Sequence, residues 1–162
     1  MVKFTLYEVS GLNYEETIKD FYDKIGEAKK FVLATSKDNQ PTARMMSCII
    51  IDNVFYIQTD QFFTKYNQMI ANPKVAICND NIQIEGIAQE NGHPLEKQNE
   101  LFAKMFEKYY PSSFQMYTHL KNETVFQIIP TKITLWEYEN GQPFRILIDC
   151  VNQTVVRENY EV

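Results

Sequence analysis

The chain has 162 residues, of which 44% are hydrophobic, and this length suffices to bury one core. We therefore expect a single domain over residues 1–162. Sixteen Lys and Arg residues oppose 21 Asp and Glu residues, for a net charge of -5. This acidic balance argues against nucleic acid or an anionic membrane surface as a partner.

The N-terminal segment meets charged residues too early for a secretory signal, and no apolar run approaches the length of a membrane span. The three cysteines, Cys48, Cys78 and Cys150, lie far apart in apolar runs, so we expect buried thiols rather than a disulfide framework. His93 and His119 lack the spacing of a zinc or haem signature. These features predict a cytoplasmic protein without a metal site.

The first predicted element is a helix over residues 14–30. Its apolar positions recur at helical spacing and form one face, made of Ile18, Phe21, Tyr22 and Ile25. We expect this face to pack on the rest of the domain and to carry no chemistry.

Three β-like runs follow, over residues 31–36, 43–51 and 54–59. Turn residues separate the first two runs, and the pair Asp52 and Asn53 separates the second from the third. Short apolar runs joined by such turns are typical of antiparallel hairpins. The pattern predicts a three-stranded meander.

The third run ends in a polar cluster. Thr59 and Asp60 precede a helix that we predict over residues 62–71, and Thr64 and Lys65 lie in its first turn. One interpretation is an N-cap, in which Thr59 or Asp60 accepts a backbone N–H. The other is an anion site, because hydroxyls and a lysine complement the positive start of a helix. From this segment alone the cap is favoured.

The next two runs, residues 74–79 and 82–89, predict a second hairpin that turns at Asp80 and Asn81. Gly86 interrupts the second of these runs. A glycine at such a position indicates a bulge or a close approach of another backbone.

An amphipathic helix is predicted over residues 94–109 and ends before Pro111. Two further β segments cover residues 124–129 and 132–138, and a terminal hairpin is predicted from residues 144–149 and 153–158. The helix face comprises Leu95, Leu101, Phe102, Met105 and Phe106. Many short antiparallel strands with helices between hairpins predict a mainly β or α+β fold, a small barrel or sandwich.

The order of these pieces resembles the pyridoxamine 5'-phosphate oxidase-like FMN-binding split barrels. The resemblance covers roughly residues 28–145 and rests on the strand that opens with Arg44, the segment from Lys65 to Pro73, and the late strand with Trp136. It implies an antiparallel split β-barrel with flanking helices. It also implies a homodimer that binds FMN in the groove between two subunits.

In this family the loop after the third strand and the lysine at the helix start hold the FMN phosphate. By position, Thr59, Thr64 and Lys65 are expected to contact the phosphate and ribityl chain, and Arg44 to reach the phosphate from the neighbouring strand. The family often has Ser-Arg-Lys where this chain has Phe63, Thr64 and Lys65, so one cation is missing.

The remaining expected contacts concern the flavin ring. Met45, Met46 and Ser47 are expected to offer main-chain groups to its edge, while the two methionine side chains are expected to fill the core. The polar Gln58 completes the expected site on the strand that carries Thr59. Two residues stay open between roles: Asn81 is either a flavin contact or a turn residue, and Trp136 packs against protein, flavin or both.

Within the family the chain is most similar to the nitroimidazole-resistance flavoproteins. Oxidases of pyridoxamine phosphate have cationic or histidine residues where this chain has Gln142, Phe144 and Ile49. The resemblance therefore implies a reductase of a flat neutral acceptor, such as a nitroaromatic or a quinone, rather than a pyridoxamine-phosphate oxidase. Phe144 is expected to line an apolar pocket over the flavin, and Arg145 to pair with an acid.

A Rossmann-type glycine motif is absent from the sequence, so NAD(P)H is expected only as a loosely docked reductant. The competing interpretation is a binding protein without turnover, a flavin or haem carrier or sensor.

Overall fold

The computed structural model describes residues 5–9 and 11–161. Its nine strands form one antiparallel sheet in the order β1-β9-β8-β7-β4-β3-β2-β5-β6, and β6 also pairs with β7. The strands are β1 (Thr5–Val9), β2 (Ala28–Lys37), β3 (Gln40–Ile51), β4 (Val54–Asp60), β5 (Lys74–Asn79), β6 (Ile82–Glu90), β7 (Glu123–Glu139), β8 (Gln142–Asp149) and β9 (Thr154–Glu161). The α-helices are α1 (Tyr14–Ile25), α2 (Thr64–Ala71), α3 (Glu100–Tyr109) and α4 (Pro111–Tyr117), with a 3₁₀ turn at Lys97–Asn99.

The second pairing of β7 closes a barrel of six strands, β2-β3-β4-β7-β6-β5, because β5 pairs back to β2. The second half of β7 also pairs with β8, which continues through β9 to β1 outside the barrel. The predicted split β-barrel with flanking helices is confirmed.

Strands β3 and β4 of the barrel are hydrogen-bonded over only part of their length. These strands pair only from Ile49 opposite Tyr56 to Ile51 opposite Val54, at their shared hairpin. The preceding part of β3 pairs with β2 on its other side, and the end of β4 pairs with β7. A split therefore opens between residues 45–47 of β3 and residues 58–60 of β4.

Two hydrophobic cores join the barrel to the helices. The barrel interior is filled by apolar side chains such as Phe31, Phe55 and Ile128, and α1 adds Phe21. A smaller core outside the barrel joins β3, β4 and β7 to α3 through Phe102 and neighbouring residues. Burial of this apolar surface is the main stabilising contribution to the fold.

The hairpins follow the predicted turns. Asp52 and Asn53 both have positive φ, 48° and 64°, as the tight turn between β3 and β4 requires. Gly86 marks both predicted features at once: the register with β7 shifts at this residue, and a Cβ there would lie 2.8 Å from the carbonyl oxygen of Ile129.

Several predicted boundaries are wrong. The first helix ends at Ile25 instead of residue 30, because Gly26 at φ 74° terminates it and the following residues join β2. The two late β segments are one strand, β7, in which Pro130 lies opposite Gly86 at the register shift, where its missing N–H is tolerated.

The helix predicted over residues 94–109 begins only at Glu100, after the 3₁₀ turn, and a separate helix, α4, follows it. Of the predicted apolar face, Phe102 and Phe106 are buried, whereas Leu95 and Leu101 are exposed. The prediction of three buried thiols also fails in part. Cys48 is buried, but Cys78 is exposed and Cys150 is half-buried; all three are free.

In the part of the chain that the structure describes, no helix combines the length and apolarity needed to cross a membrane.

Candidate functional site

The split between β3 and β4 opens into a groove of about 290 Å³, which α2, α3 and α4 border. Six of the ten predicted cofactor-binding residues line it. These are Met45, Met46, Ser47, Gln58, Thr59 and Lys65. The structure thus brings together the β3 and β4 parts of the predicted site.

Backbone groups of β3 are available at this groove. Residues 45–47 pair with β2 on one side, and their other side faces the split instead of β4. In an antiparallel strand, alternate residues direct their N–H and C=O groups to opposite neighbours. Part of the β3 main chain can therefore donate to, or accept from, a bound molecule.

Helix α2 begins beside the groove without a side-chain cap. Its N-cap residue is Phe63, and no side chain accepts a hydrogen bond from its first turn. Asp60 instead accepts from the backbone N–H of Phe62 at 2.8 Å, in the loop before the helix. The predicted N-cap at Thr59 or Asp60 is therefore wrong, as is the predicted helix start at residue 62. The first backbone N–H groups of α2 stay without a side-chain partner.

Lys65 is the cation that lines the groove. Its side chain is half-buried, and its ammonium lies 4.5 Å from the centre of the Phe63 ring. Burial lowers the pKa of Lys65, and the nearby charge of Arg44 lowers it further, against the opposing effect of Glu123 and Asp60. The Lys65 ammonium makes no ion pair or hydrogen bond with any residue that the structure describes. The Lys65 ammonium is therefore available to an anion bound in the groove.

Two carboxylates, from Asp60 and Glu123, stand opposite Lys65. The two residues are direct cross-strand partners at the paired ends of β4 and β7. Glu123 is only 5% exposed, and it lines the groove without a side-chain hydrogen bond to a described residue. Burial, reinforced by Asp60 and opposed by Lys65, raises the pKa of Glu123 to about 7. Near neutral pH, Glu123 is therefore divided between its charged and neutral forms.

Arg44 lies behind the groove rather than in its lining. Its guanidinium donates to the carbonyl oxygen of Leu33 at 3.2 Å, to the hydroxyl of Thr35 at 2.7 Å and to the hydroxyl of Thr42. Both hydroxyls donate in turn to Oε1 of Gln68 on α2, which is buried. This network fixes Arg44 under α2, from where its charge acts on Lys65.

The remaining predicted residues on β4 and α2 differ in role. Thr59 is buried at the groove, and Gln58 accepts a hydrogen bond of 3.0 Å from the fully buried Thr118. Thr64 is exposed and is not among the residues that line the groove.

The prediction that both methionine side chains fill the core is wrong for one of them. Met46 packs on the barrel core, but Met45 is 57% exposed because successive residues of β3 point to opposite faces. Met45, Phe63 and Tyr117 are exposed apolar side chains that line the groove. The groove thus combines a charged end with apolar walls.

Asn81 and Trp136 lie together, away from this groove. The Asn81 side chain donates to the carbonyl oxygen of Trp136 at 2.8 Å, and the backbone N–H of Trp136 donates to the Asn81 carbonyl at 3.0 Å. Asn81 borders a different groove, beside α1. Within one protomer, therefore, the predicted site falls into two parts.

Trp136 is 42% exposed and packs against side chains of the neighbouring strands β8 and β9. Its ring stacks on Tyr160 at 5.5 Å between centroids, and the guanidinium of Arg145 lies 5.3 Å from the Trp136 ring. Arg145 pairs with Glu158, as expected. We call Trp136, Arg145, Glu158 and Tyr160 the stacked cluster.

Phe144 does not have its expected position. It is buried, and the guanidinium of Arg157 covers its ring at 3.9 Å. It therefore cannot line an open pocket in this protomer. Ile49 is fully buried in the smaller core.

Sequence reasoning missed three features of the site. Glu123 and Tyr117 come from segments more than 50 residues beyond β4, and only the fold brings them to the groove. Gln68 was missed as the residue that positions the hydroxyls around Arg44. The only local signal for Gln68 was a polar residue on the buried face of α2.

Solved structures share this fold at low sequence identity. A NimC/NimA family protein from Clostridium acetobutylicum is 18% identical, covering 91% of this chain and 96% of its own, with a TM-score of 0.54. The heme storage protein HutZ from Vibrio cholerae is 13% identical, with coverages of 76% and 95% and a TM-score of 0.61. An FAD-binding protein from Mesorhizobium loti is 15% identical, with coverages of 98% and 100% and a TM-score of 0.55.

Among curated proteins, none matches this sequence. The sequence model of one family does match, over residues 14–137, which is more than half of the chain; its description is pyridoxamine 5'-phosphate oxidase. The matched segment includes every residue that lines the groove and all of the six-stranded barrel except the last two residues of β7. The chain therefore belongs to the pyridoxamine 5'-phosphate oxidase family.

Proposed function

We propose that this protein binds FMN in the groove between β3 and β4 and uses it to reduce a small, flat, neutral acceptor. The observation that carries the proposal is the state of Lys65, a half-buried cation without an ion-pair partner among the described residues, beside a helix start that lacks a side-chain cap. A solved structure of the same fold supports it, the FAD-binding protein from Mesorhizobium loti.

The residues present fit the phosphate end of FMN. Lys65 and the first N–H groups of α2 provide charge-assisted donors, and Thr59 and Ser47 add hydroxyls at the same groove. Arg44 strengthens the positive potential from behind Lys65. Thr64, at the exposed start of α2, is proposed to reach the phosphate from the solvent side.

The ring end of FMN fits the apolar half of the groove. Exposed side chains of Met45 and Tyr117 offer apolar contacts, while unpaired backbone groups of residues 45–47 offer hydrogen bonds to the polar edge of the ring. Gln58 lies at the same groove, and the hydroxyl of Thr118 fixes its side-chain amide by donating a hydrogen bond to Oε1.

We further propose that the functional unit is a homodimer. At about 290 Å³ the groove lies at the lower limit of ligand pockets, which are roughly 300 to 1,000 Å³. Beside it Phe62 is 78% exposed, and such apolar surface is typical of an interface. A second copy would cover this surface and bring its own Trp136 and Asn81 to the flavin. Sedimentation velocity tests this: we expect a dimer, and a monomer at micromolar concentration would contradict it.

The proposed reaction uses FMN as the carrier of reducing equivalents, and that chemistry belongs to the cofactor. The chain positions FMN through Lys65 and β3 and keeps the surroundings of the ring apolar through Met45. NAD(P)H is proposed as a loosely docked reductant. We propose a cytoplasmic location for the protein.

The same residues argue against oxidation of pyridoxamine phosphate. Oxidases of the family carry further cations for the substrate phosphate, whereas Ile49 is fully buried and Phe144 lies beneath Arg157. The phosphate of a pyridoxamine substrate would therefore lack those cations. Poor positioning of the donor carbon lowers rates by orders of magnitude.

The first experiment is the absorption spectrum of the purified protein, with mass spectrometry of what it releases on heating. We expect a yellow protein that releases FMN, and reduction of its visible band by NAD(P)H under anaerobic conditions. A colourless protein that binds no added FMN would contradict the proposal. Mixing with pyridoxamine phosphate should leave the flavin band unchanged, and its rapid bleaching would show an oxidase instead.

The second candidate is a haem or flavin carrier without turnover. The fold shared with the heme storage protein HutZ and the exposed thioether of Met45 favour it. A Soret band after haem addition, with no binding of FMN, would establish the haem carrier.

A further inference from the structure

The groove proposed to hold the FMN phosphate also contains a buried carboxylate, that of Glu123. Glu123 lies at the start of β7, is 5% exposed, and lines the same groove as Lys65. It has no side-chain hydrogen bond to a described residue, so burial and the surrounding charges govern its ionisation. A buried carboxylate near a bound phosphate dianion would be strongly repelled by it.

Charged and titratable groups face Glu123 from three elements. Asp60 faces it from β4 as its cross-strand partner, and Lys65 faces it from α2. Tyr117, from α4, lines the same groove, and Arg44 of β3 stands behind Lys65. Two carboxylates therefore oppose one lysine at the groove, and this balance is unfavourable for an anion unless one carboxylate is neutral.

We propose that Glu123 takes up a proton when the phosphate group of FMN binds, so that FMN affinity increases as the pH falls. The inference rests on the proposed function, because it assigns the FMN phosphate to the Lys65 groove. The proton comes from solvent and converts the Glu123 carboxylate to the neutral acid, which no longer repels the phosphate. The neighbouring Asp60 carboxylate, which is more exposed, adds to the repulsion that favours this uptake.

The direction of the pH effect follows from the shift already described. The pKa of Glu123 lies at about 7 in the free protein, so its carboxyl ionises as the pH rises through neutrality. A bound phosphate moves this ionisation to higher pH. The affinity for FMN is therefore highest below about pH 7. It declines above that pH by up to about tenfold per pH unit, because one proton is taken up on binding.

The experiment is a fluorescence titration with FMN between about pH 7 and pH 9, a range in which the FMN phosphate stays a dianion because its second pKa is about 6. Wild type should lose affinity with rising pH. Glu123→Gln should remove most of this slope and bind FMN roughly tenfold more tightly than wild type at about pH 8. Riboflavin, which lacks the phosphate, should show no difference between the two proteins.

Two variants serve as controls. Glu107→Gln removes one negative charge from the exposed face of α3, outside the groove, and should keep the wild-type pH profile. Asp60→Asn removes the neighbour that raises the pKa of Glu123, so the decline should begin at lower pH with its slope retained. Calorimetry of wild type in buffers of different ionisation enthalpy should show net proton uptake.

The outcomes separate the inference from the proposed function. A wild-type affinity for FMN that does not change with pH, or a slope that persists in Glu123→Gln, would overturn the inference and leave FMN binding intact. Failure of wild type to bind FMN at any pH would overturn the proposed function, and the inference would fall with it.

Discussion

The groove and the stacked cluster are built from similar side chains, but only one of them is satisfied within the protomer. In the stacked cluster, Arg145 donates two hydrogen bonds to Glu158, and aromatic rings lie beside the guanidinium. In the groove, the side chains of Lys65 and Glu123 have no hydrogen bond to a described residue, and both pKa values shift toward the neutral form. The contrast indicates that the stacked cluster stabilises the fold, whereas the groove leaves its charged side chains without partners in the protomer, as the proposed flavin site requires.

Removing the arginine of the stacked cluster should have the largest effect. Arg145→Ala removes the cation from the largely buried Glu158 carboxylate, which keeps a hydrogen bond of 3.3 Å from the Tyr160 hydroxyl, and we expect it to lower the free energy of unfolding by about 3 kcal/mol. Urea denaturation measures this. The control is Lys19→Ala, which breaks an exposed pair with Asp23 and should leave the free energy of unfolding nearly unchanged. Equal effects of the two variants would show that the stacked cluster contributes no more to stability than an exposed ion pair does.

The groove should respond in binding rather than in stability. Lys65→Ala should weaken FMN binding by about 2 kcal/mol, because one charge-assisted bond to the phosphate is lost, with no loss of riboflavin binding. Fluorescence titration measures both affinities. Lys104→Ala, on the exposed side of α3, is the matched control and should bind FMN as wild type does. Unchanged FMN affinity in Lys65→Ala would show that the phosphate lies elsewhere.

The unsatisfied carboxylate of Glu123 should also appear in stability. The pKa of Glu123 is raised to about 7 in the folded protein. Between the ordinary pKa of a glutamate and this value, the folded protein keeps a proton that the unfolded chain has lost. The free energy of unfolding therefore falls as the pH rises through that interval. Glu123→Gln should therefore stabilise the ligand-free protein by about 1 to 2 kcal/mol at about pH 8 and have little effect at about pH 5. Urea denaturation at both pH values checks this. Destabilisation at high pH would mean that Glu123 has a favourable partner when charged.

Arg44 should have the smallest effect on FMN, because its guanidinium is already bonded to hydroxyls and acts on the groove only through its charge. We expect Arg44→Ala to weaken FMN binding by about 1 kcal/mol, less than Lys65→Ala. Loss of the Arg44 charge should also raise the pKa of Lys65, and NMR titration of the lysine side chain measures this. A loss of FMN affinity as large as that of Lys65→Ala would place Arg44 in direct contact with the phosphate.

The predictable part of the molecule is the part that local patterns determine. The hairpin at Asp52 and Asn53 and the bulge at Gly86 followed from their own residues, since few side chains tolerate those conformations. The continuity of β7 was missed because Pro130 resembles a strand end. Only its position opposite Gly86 makes it tolerable, and that pairing is a property of the whole sheet.

The same limit applies to the site. Residues 45–47 and Lys65 could be predicted, because they belong to neighbouring elements whose order resembles the family. The position of Glu123 opposite Asp60 depends on the pairing of β4 with β7, two strands separated by two hairpin strands and several helices. No local pattern fixes that register. The buried acid, which sets the charge balance of the groove, was therefore outside the reach of sequence reasoning.

The most direct test of the central claim compares FMN with riboflavin on the wild-type protein, by fluorescence titration at about pH 7, where much of Glu123 is neutral. The two ligands differ only in the phosphate. If the groove holds that phosphate through Lys65 and the start of α2, FMN should bind at least about tenfold more tightly than riboflavin. Equal affinities for the two ligands would contradict the account.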